Sequence, residues 1–166
     1  MKTIKAIETS YRGYKFRSRL EARWAIFFDE MGFQWGYEIE GFELPEGKRY
    51  LPDFYLYDFS VWFEVKGNFE TVSNDDFDIM YDFSSKLKQN IILSTGQPGD
   101  EIMMFYSQYG LYQVWFSPNP FTGEFQISVM REDSLGYLQN NNEIYKRTDN
   151  AYQKARSARF EFGERK

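Results

Sequence analysis

The chain has 166 residues, a formal net charge of -5 at pH 7 and an aromatic content of 20%. It contains no Cys and no His, which excludes disulfides, thiolate zinc sites, Ser-His-Asp hydrolases, His-dependent nucleases and zinc deaminases. This length predicts one domain over residues 1–166. Because no apolar stretch is long enough to span a bilayer and no leader-like segment begins the chain, we expect a cytoplasmic protein without membrane contact.

Positive charge is concentrated at the two ends of the chain. Residues 1–23 hold seven Lys or Arg against two acidic residues, and residues 146–166 hold seven against three. The chain between them is strongly acidic. Two basic ends around an acidic body suit a protein that contacts phosphates through its termini and holds a cation at its centre. Charged termini that only keep the protein soluble are the alternative.

The first predicted helix covers residues 18–31. Ser18 is a suitable N-cap and Gly32 a suitable stop. Glu21, three residues after Ser18, completes a capping-box pattern, which gives it a structural role by default. Apolar residues recur along the segment at helical spacing, namely Leu20, Trp24, Phe27, Phe28 and Met31.

A β-hairpin is predicted next, after a strand at 34–39 and a turn at 41–47. Its strands are residues 49–57 and 60–66, joined by a two-residue loop. In that register Tyr57 pairs with Ser60, and Asp53 therefore lies opposite Glu64. Alternate side chains of a strand share a face, so Lys66 projects beside Glu64.

The two opposed carboxylates are costly unless a cation joins them. Like charges directly across an antiparallel pair repel each other. A hard divalent ion with oxygen ligands removes that repulsion, and Lys66 beside Asp53 and Glu64 completes a site suited to phosphodiester hydrolysis. The alternative interpretation is an edge-strand turn followed by a solvated strand face.

The remaining elements are predicted from periodicity and turn residues. Residues 75–87 form a second helix, and the apolar run 91–94 forms a buried parallel strand after this crossover. Residues 110–116 and 124–130 form a C-terminal hairpin whose loop, without Cys or His, cannot bind zinc. Residues 133–148 are predicted to be a loop and residues 150–160 a short basic helix.

The segment Pro52-Asp53 followed by Glu64-Val65-Lys66 resembles the core motif of the PD-(D/E)xK, or restriction-endonuclease-like, nuclease superfamily. Residues 17–25, Arg-Ser-Arg-Leu-Glu-Ala-Arg-Trp-Ala, are similar to the first helix of phage-type and Holliday-junction-resolvase-like members. The resemblance covers residues 11–96. It implies an α/β or α+β fold with an α-β-β-β-α-β core and a mixed central sheet, to which residues 100–166 add a hairpin and a helix.

The resemblance also implies a set of site residues. Asp53, Glu64 and the Val65 carbonyl would bind Mg²⁺, with Mn²⁺ as a substitute, and Lys66 would position or deprotonate the attacking water. In relatives a Glu of the first helix points into the site, which gives Glu21 a second, functional interpretation. The products would carry 5'-phosphate and 3'-hydroxyl ends.

Nucleic-acid contacts are predicted around the start of the first helix, where free amides and the helix dipole favour phosphate. A solvated basic face is the alternative. Lys86 on the second helix is a weaker candidate for a phosphate contact. The residues predicted to contact nucleic acid are Arg12, Lys15, Arg17, Arg19 and Arg23.

The leading hypothesis is therefore a magnesium-dependent DNA endonuclease, encoded by a phage or mobile element and acting in the bacterial cytoplasm. A junction resolvase is one form of it. Two alternatives stay open. One is a nuclease-fold module that binds DNA or protein without turnover, for instance against host defence, and the other is an RNA nuclease or repair exonuclease with the same site. The sequence leaves open whether two copies form a homodimer.

Overall fold

The structure, a computed structural model, describes residues 6–119, 121–129 and 142–160, with side chains from 147 onward in the last range. Its helices are α1 (Arg19–Met31), α2 (Asn74–Ser85) and α3 (Asn142–Ser157), and single 3₁₀ turns lie at Pro45–Gly47 and Phe69–Thr71. Its strands are β1 (Thr9–Tyr11), β2 (Tyr14–Phe16), β3 (Trp35–Tyr37), β4 (Phe42–Glu43), β5 (Arg49–Tyr50), β6 (Phe54–Leu56), β7 (Val61–Lys66), β8 (Ile91–Thr95), β9 (Ile102–Ser107), β10 (Gly110–Pro118) and β11 (Phe125–Val129).

The described residues form an α+β structure around a seven-stranded sheet of order β11-β10-β9-β8-β7-β6-β3. Neighbouring strands are antiparallel except β7 and β8, which run parallel on either side of the α2 crossover. The prediction of a buried parallel strand at 91–94 is confirmed. Two short hairpins, β1-β2 and β4-β5, lie outside the large sheet. In the part of the chain described, no helix is long and apolar enough to cross a membrane.

Two hydrophobic clusters cover the two faces of the sheet. On one face α1 and α3 pack on Phe54, Phe63 and Val65 of β6 and β7. On the other face α2 and the β4-β5 hairpin pack on Trp62, which alternates with those residues along β7. This alternation agrees with the predicted side-chain alternation that places Lys66 beside Glu64. Aromatic rings form much of the first cluster, and Trp24 contacts Phe63 at a centroid distance of 4.9 Å.

Helix α1 has the caps that its sequence predicted. The Ser18 hydroxyl accepts a hydrogen bond from the Glu21 amide, and Gly32 ends the helix in the left-handed region at φ 74°. Its buried face brings six apolar residues to the sheet, namely Ala22, Trp24, Ala25, Phe27, Phe28 and Met31. This packing holds the start of α1 in a fixed position on the sheet, close to the first residue of β6 and the last residue of β7.

The register of the central hairpin is confirmed. Phe54 pairs with Phe63, and Leu56 pairs with Val61. Continuing these pairs by one residue sets Asp53 opposite Glu64. The predicted strand 49–57 is wrong in one respect, because it is divided into β5 and β6 by residues 51–53. Pro52 lies in this break, where a residue without an amide hydrogen is tolerated.

Several other predicted boundaries are wrong. Strand β9 and the β1-β2 hairpin were not predicted. Helix α3 begins at Asn142, so residues 142–148 are helical instead of forming a loop, while residues 130–141 lie outside the described residues. Pro120 and Met130 of the predicted C-terminal hairpin also lie outside them, as do Lys2, Lys5 and residues 161–166 of the basic ends. Of the hairpin, β10 and β11 are present and antiparallel.

Helix α3 is attached to α1 through its basic residues. Arg147 Nη2 donates to the Met31 carbonyl at 2.7 Å, and Lys154 Nζ lies 2.6 Å from Glu30 Oε2. Tyr152 stacks on Phe27 at a centroid distance of 4.8 Å. Since cations at the carboxyl end of a helix complement its dipole, these contacts fasten α3 to the end of α1. They engage two of the residues that the charge pattern assigned to phosphate binding.

We expect Gly32→Ala to destabilise the protein more than Gly13→Ala. Both glycines have a positive φ, which costs an L-residue about 1–2 kcal/mol. A Cβ at Gly32 would lie 2.7 Å from Arg147 Nη2, whereas one at Gly13 would meet nothing within 4 Å. Displacing Arg147 forfeits its bond to Met31, which adds about 1 kcal/mol. Urea unfolding of the two variants measures the difference.

The Arg147→Ala background provides the control. Without the Arg147 guanidinium a Cβ at position 32 has nothing to clash with, so the two glycine substitutions should lower the free energy of unfolding by similar amounts. Equal losses for Gly32→Ala and Gly13→Ala in the parent background would contradict the role given to Arg147.

Candidate active site

The structure brings the predicted motif residues together at one end of the sheet. Asp53 immediately precedes β6. Glu64 and Lys66 are on the same face of β7, within its last three residues. Glu21 lies in the first turn of α1. The elements that position these residues are thus the central hairpin and the start of the helix that packs on it.

Asp53 is buried, with 3% of its surface exposed, and both of its oxygens accept hydrogen bonds. The Val65 amide donates to Oδ2 at 2.8 Å, and Arg17 Nη2 donates to Oδ1 at 2.7 Å. Burial, followed by the charges of Glu64 and Glu21, nevertheless raises the pKa of Asp53 well above its ordinary value. The contacts of Asp53 therefore compensate its negative charge only in part.

Glu64 is also buried and is held by one neutral and one charged donor. The Tyr50 hydroxyl donates to Oε2 at 2.8 Å, and Lys66 Nζ lies 3.2 Å from Oε1. Burial raises the pKa of Glu64, although Lys66 and Tyr50 both favour its ionised form. Two partly compensated carboxylates, Asp53 and Glu64, therefore lie side by side at the end of the hairpin.

Lys66 bridges the site to α2. Its Nζ lies 2.9 Å from Asp76 Oδ1 and 3.2 Å from Glu64 Oε1. Burial alone would lower the pKa of Lys66, but the charges and hydrogen bonds of Glu64 and Asp76 outweigh it and raise that pKa. A protonated ammonium group favours the electrostatic task over proton abstraction.

Asp76 was missed by the sequence analysis. It is the third residue of α2, where its Oδ2 accepts from the amide and the hydroxyl of Ser73 in a capping box. Burial opposes its ionisation, but the bonds from Lys66 and Ser73 lower the pKa of Asp76 overall. The Ser-x-x-Asp pattern was visible in the sequence, yet it signals only a helix start. Nothing local in the sequence connects it with Lys66.

Glu21 performs a local structural role and also lies near Asp53. Its Oε1 accepts from the Ser18 hydroxyl at 2.7 Å, and its Oε2 accepts from the Tyr37 hydroxyl at 2.6 Å and from the Arg17 amide at 3.1 Å. This is a variant of the predicted capping box, in which the bound amide is one residue before the N-cap. The charge of Glu21 contributes to the raised pKa of Asp53, so the two carboxylates are within electrostatic reach.

The basic residues predicted to contact nucleic acid have different surroundings. Arg12 is paired with Asp29 at 2.8 Å, and Arg23 donates to Gln97 at 3.4 Å. Lys15 is exposed on β2, and Arg19 is half-buried at the start of α1. Arg17 differs from the others because its guanidinium enters the carboxylate site. No sequence signal distinguished Arg17 from its basic neighbours.

The chemistry of the site fits a divalent cation at Asp53 and Glu64. Their carboxylate oxygens are the ligands that Mg²⁺ prefers, and burial, followed by the charges of Glu64 and Glu21, raises the pKa of Asp53 although Arg17 opposes the shift. Over residues 6–119, 121–129 and 142–160 no three acidic side chains form a ready-made metal group. Both oxygens of Glu21 are bonded within its own part of the chain and to Tyr37, through Ser18 at Oε1 and Tyr37 at Oε2.

Comparisons with known proteins add nothing to this geometry. No protein-family model, curated protein or solved structure matches this chain. The relationship to the nuclease superfamily therefore stays a prediction from the sequence motif.

We expect Asp53→Asn and Asp76→Asn to change the pH dependence of stability in opposite directions. A raised pKa means that the Asp53 contribution is present below its ordinary value of 3.8 and is lost as the pH rises through the folded value. A lowered pKa means that the Asp76 contribution is present above 3.8 and is lost as the pH falls. Relative to the parent, Asp53→Asn should therefore improve with rising pH, whereas Asp76→Asn should worsen.

Urea unfolding in EDTA from about pH 3 to about pH 8 tests both signs, since the chelator removes any bound metal. Curves for both variants that run parallel to the parent would show that neither carboxylate has a shifted pKa.

Proposed function

We propose that this protein is a metal-dependent endonuclease of the PD-(D/E)xK superfamily, with a restriction-endonuclease-like core, that hydrolyses phosphodiester bonds in DNA. The observation that carries the proposal is the hairpin register, which sets Asp53 opposite Glu64 with Lys66 Nζ 3.2 Å from the Glu64 carboxylate. The order α1, β3, β6, β7, α2, β8 also agrees with the α-β-β-β-α-β core that the resemblance implies.

In this proposal the residues divide the work by their position. Asp53, Glu64 and the Val65 carbonyl would hold a divalent cation, which would supply Lewis-acid charge to the reacting phosphate. Lys66, fixed by Asp76, places a positive charge where negative charge develops on the phosphoryl oxygens. The central hairpin and the start of α1 hold these residues in fixed positions, which favours in-line attack without a covalent intermediate.

The expected substrate is DNA, in duplex, branched or single-stranded form. Arg17 reaches the site from the chain before α1, and Lys15 and Arg19 are its neighbours in sequence, so this segment offers phosphate contacts. A phage or mobile-element origin and action in the bacterial cytoplasm belong to the same proposal, as does a homodimer if the substrate has two symmetric strands to cut.

Asp53→Asn and Lys66→Met should each reduce cleavage by about 100-fold or more, because each removes charge from the reacting centre. The assay uses labelled duplex, single-stranded and four-way-junction DNA, and RNA, with Mg²⁺, Mn²⁺ or EDTA. Lys88→Met is the matched control. Lys88 lies beyond the carboxyl end of α2, where its Nζ donates to the Ser85 carbonyl at 2.6 Å, and its loss should leave cleavage unchanged.

Turnover in Asp53→Asn or Lys66→Met close to that of the parent would refute the assignment of the site. A parent that cleaves equally well in EDTA would refute the metal dependence. The four substrates also decide between DNA and RNA, and between a junction resolvase and a general endonuclease.

Glu21→Gln separates the structural and functional interpretations of that residue. The Gln oxygen can still accept from the Tyr37 hydroxyl and the Arg17 amide, and its NH2 group can donate to the Ser18 hydroxyl, so the variant should melt within a few degrees of the parent. If the carboxylate charge contributes to cation binding, activity should fall strongly and recover in part at high Mn²⁺. Activity at low Mg²⁺ that equals the parent's would leave Glu21 with the capping role alone.

A DNA- or protein-binding module without turnover is the second candidate. It is favoured by one observation, namely that each central carboxylate already has a protein cation beside it, Arg17 for Asp53 and Lys66 for Glu64. The same assay addresses it. DNA binding by the parent without cleavage under any metal would support the binding module.

A further inference from the structure

Arg17 connects the surface of the protein to the most buried carboxylate of the site. Its Nη2 lies 2.7 Å from Asp53 Oδ1, and its Nε lies 2.7 Å from Glu38 Oε1. The Arg17 side chain is 58% exposed, whereas that of Asp53 is 4% exposed. The guanidinium thus approaches Asp53 from solvent.

This asymmetry means that the ion pair can open from one side only. Arg17 can rotate into water at little desolvation cost, because more than half of its side chain is already hydrated. Asp53 cannot follow, since β6 and the Val65 amide hold it. If Arg17 leaves without a replacement, a buried carboxylate remains beside Glu64 and Glu21, which is unfavourable. Arg17 is therefore released only when another cation takes its place.

The other cation of the site is less exposed. Both cations contact two carboxylates, but the Lys66 side chain is 28% exposed against 58% for Arg17, and its ammonium group lies between Glu64 and Asp76. Asp76 is itself fixed by the Ser73 cap at the start of α2. Of the two cations, Arg17 is consequently the one that can change partner while the surrounding elements stay in place.

We infer that Arg17 is a displaceable counter-ion, which neutralises Asp53 in the metal-free protein and moves to a phosphate of the DNA when a divalent cation binds at Asp53. The inference rests on the proposed nuclease function. The exchange is chemically favourable before and after Arg17 moves, because a guanidinium binds a phosphate through two hydrogen bonds as well as it binds a carboxylate. Arg17 is then a positioning residue for the substrate backbone and not only a member of a basic face.

Such an exchange couples metal binding to DNA binding. A phosphate that attracts Arg17 frees Asp53, and a cation at Asp53 frees Arg17 for the phosphate. By linkage each ligand must then increase the affinity of the other by the same factor. Without Arg17 the competition for Asp53 disappears, so the metal should bind more tightly on its own and the coupling should be lost.

The experiment measures Mn²⁺ affinity by electron paramagnetic resonance or calorimetry, without DNA and with a duplex oligonucleotide, in a Lys66→Met background that prevents cleavage. Arg17→Met should bind Mn²⁺ at least about 5-fold more tightly than its background when DNA is absent, and DNA should change its affinity little. In the background protein itself, DNA should tighten Mn²⁺ binding.

Lys48→Met is the matched control for the loss of one positive charge. Lys48 pairs with Asp75 at 3.2 Å on the rim beside α2 and does not touch Asp53. If the effect of Arg17 comes only from net charge, Lys48→Met should increase Mn²⁺ affinity by a similar factor. The exchange predicts that it does not, and that the coupling to DNA is retained.

The outcomes separate this inference from the proposed function. Failure of the parent to bind Mn²⁺ or to cleave any nucleic acid would overturn the proposed function. Cleavage by the parent together with unchanged Mn²⁺ affinity in Arg17→Met would overturn the exchange alone and leave Arg17 as a static ion pair. A thermal melt in EDTA accompanies each variant, so that a loss of fold is recognised separately.

Discussion

The structure depends on how two buried carboxylates at one end of the central hairpin are compensated. Burying a charge is costly unless it is paired and hydrogen-bonded, and two like charges in one site are costlier still. Around Asp53 and Glu64 the chain supplies a backbone amide, a tyrosine hydroxyl, a guanidinium and an ammonium group. The raised pKa values of both carboxylates indicate that this compensation is incomplete. A fold that needed only stability would place apolar residues at these positions.

The aromatic core offsets the free-energy cost of burying these two carboxylates. Helix α1 is fixed to the sheet by rings that are fully buried, among them Trp24 and Phe28 against Phe63. Trp24 also donates from Nε1 to the Gly96 carbonyl, which ties the helix to the loop after β8. Since large buried rings contribute several kcal/mol each, the scaffold can tolerate uncompensated charge at its edge. The charged residues are thus held by rigid elements as well as by one another.

Much of the fold could be predicted where the signal is local. Ser18 and Gly32 mark the two ends of α1. The two-residue loop fixes the register of the central hairpin, and the alternation of side chains between the two faces of a strand then gives the face of each residue. Strand β9 was missed because Ile102-Met103-Met104-Phe105-Tyr106 is apolar at every position, which fits a buried helix segment as well as a strand. Its state depends on pairing with β8 and β10, which no local pattern records. Helix α3 starts earlier than predicted, at Asn142, and its described contacts with α1, through Arg147 and Lys154, are tertiary contacts that no local pattern records.

The candidate site divides in the same way. Asp53, Glu64 and Lys66 could be predicted, since their relation follows from the register of a single hairpin. Tyr50, Asp76 and Glu38 could not, because each comes from a different element and meets the site only through tertiary packing.

Arg17 is the most instructive of these cases. The sequence places it among five basic residues near a helix start, where all five look equivalent. The structure distinguishes it because the chain between β2 and α1 turns its guanidinium towards Asp53, while 58% of its side chain stays exposed. The Lys66 side chain is only 28% exposed, and Glu64 and Asp76 hold its ammonium group. Two cations with equal charge thus differ in how easily each can leave. This difference is set by burial and anchoring, and it decides which carboxylate can be exposed to a new ligand without disturbing the fold.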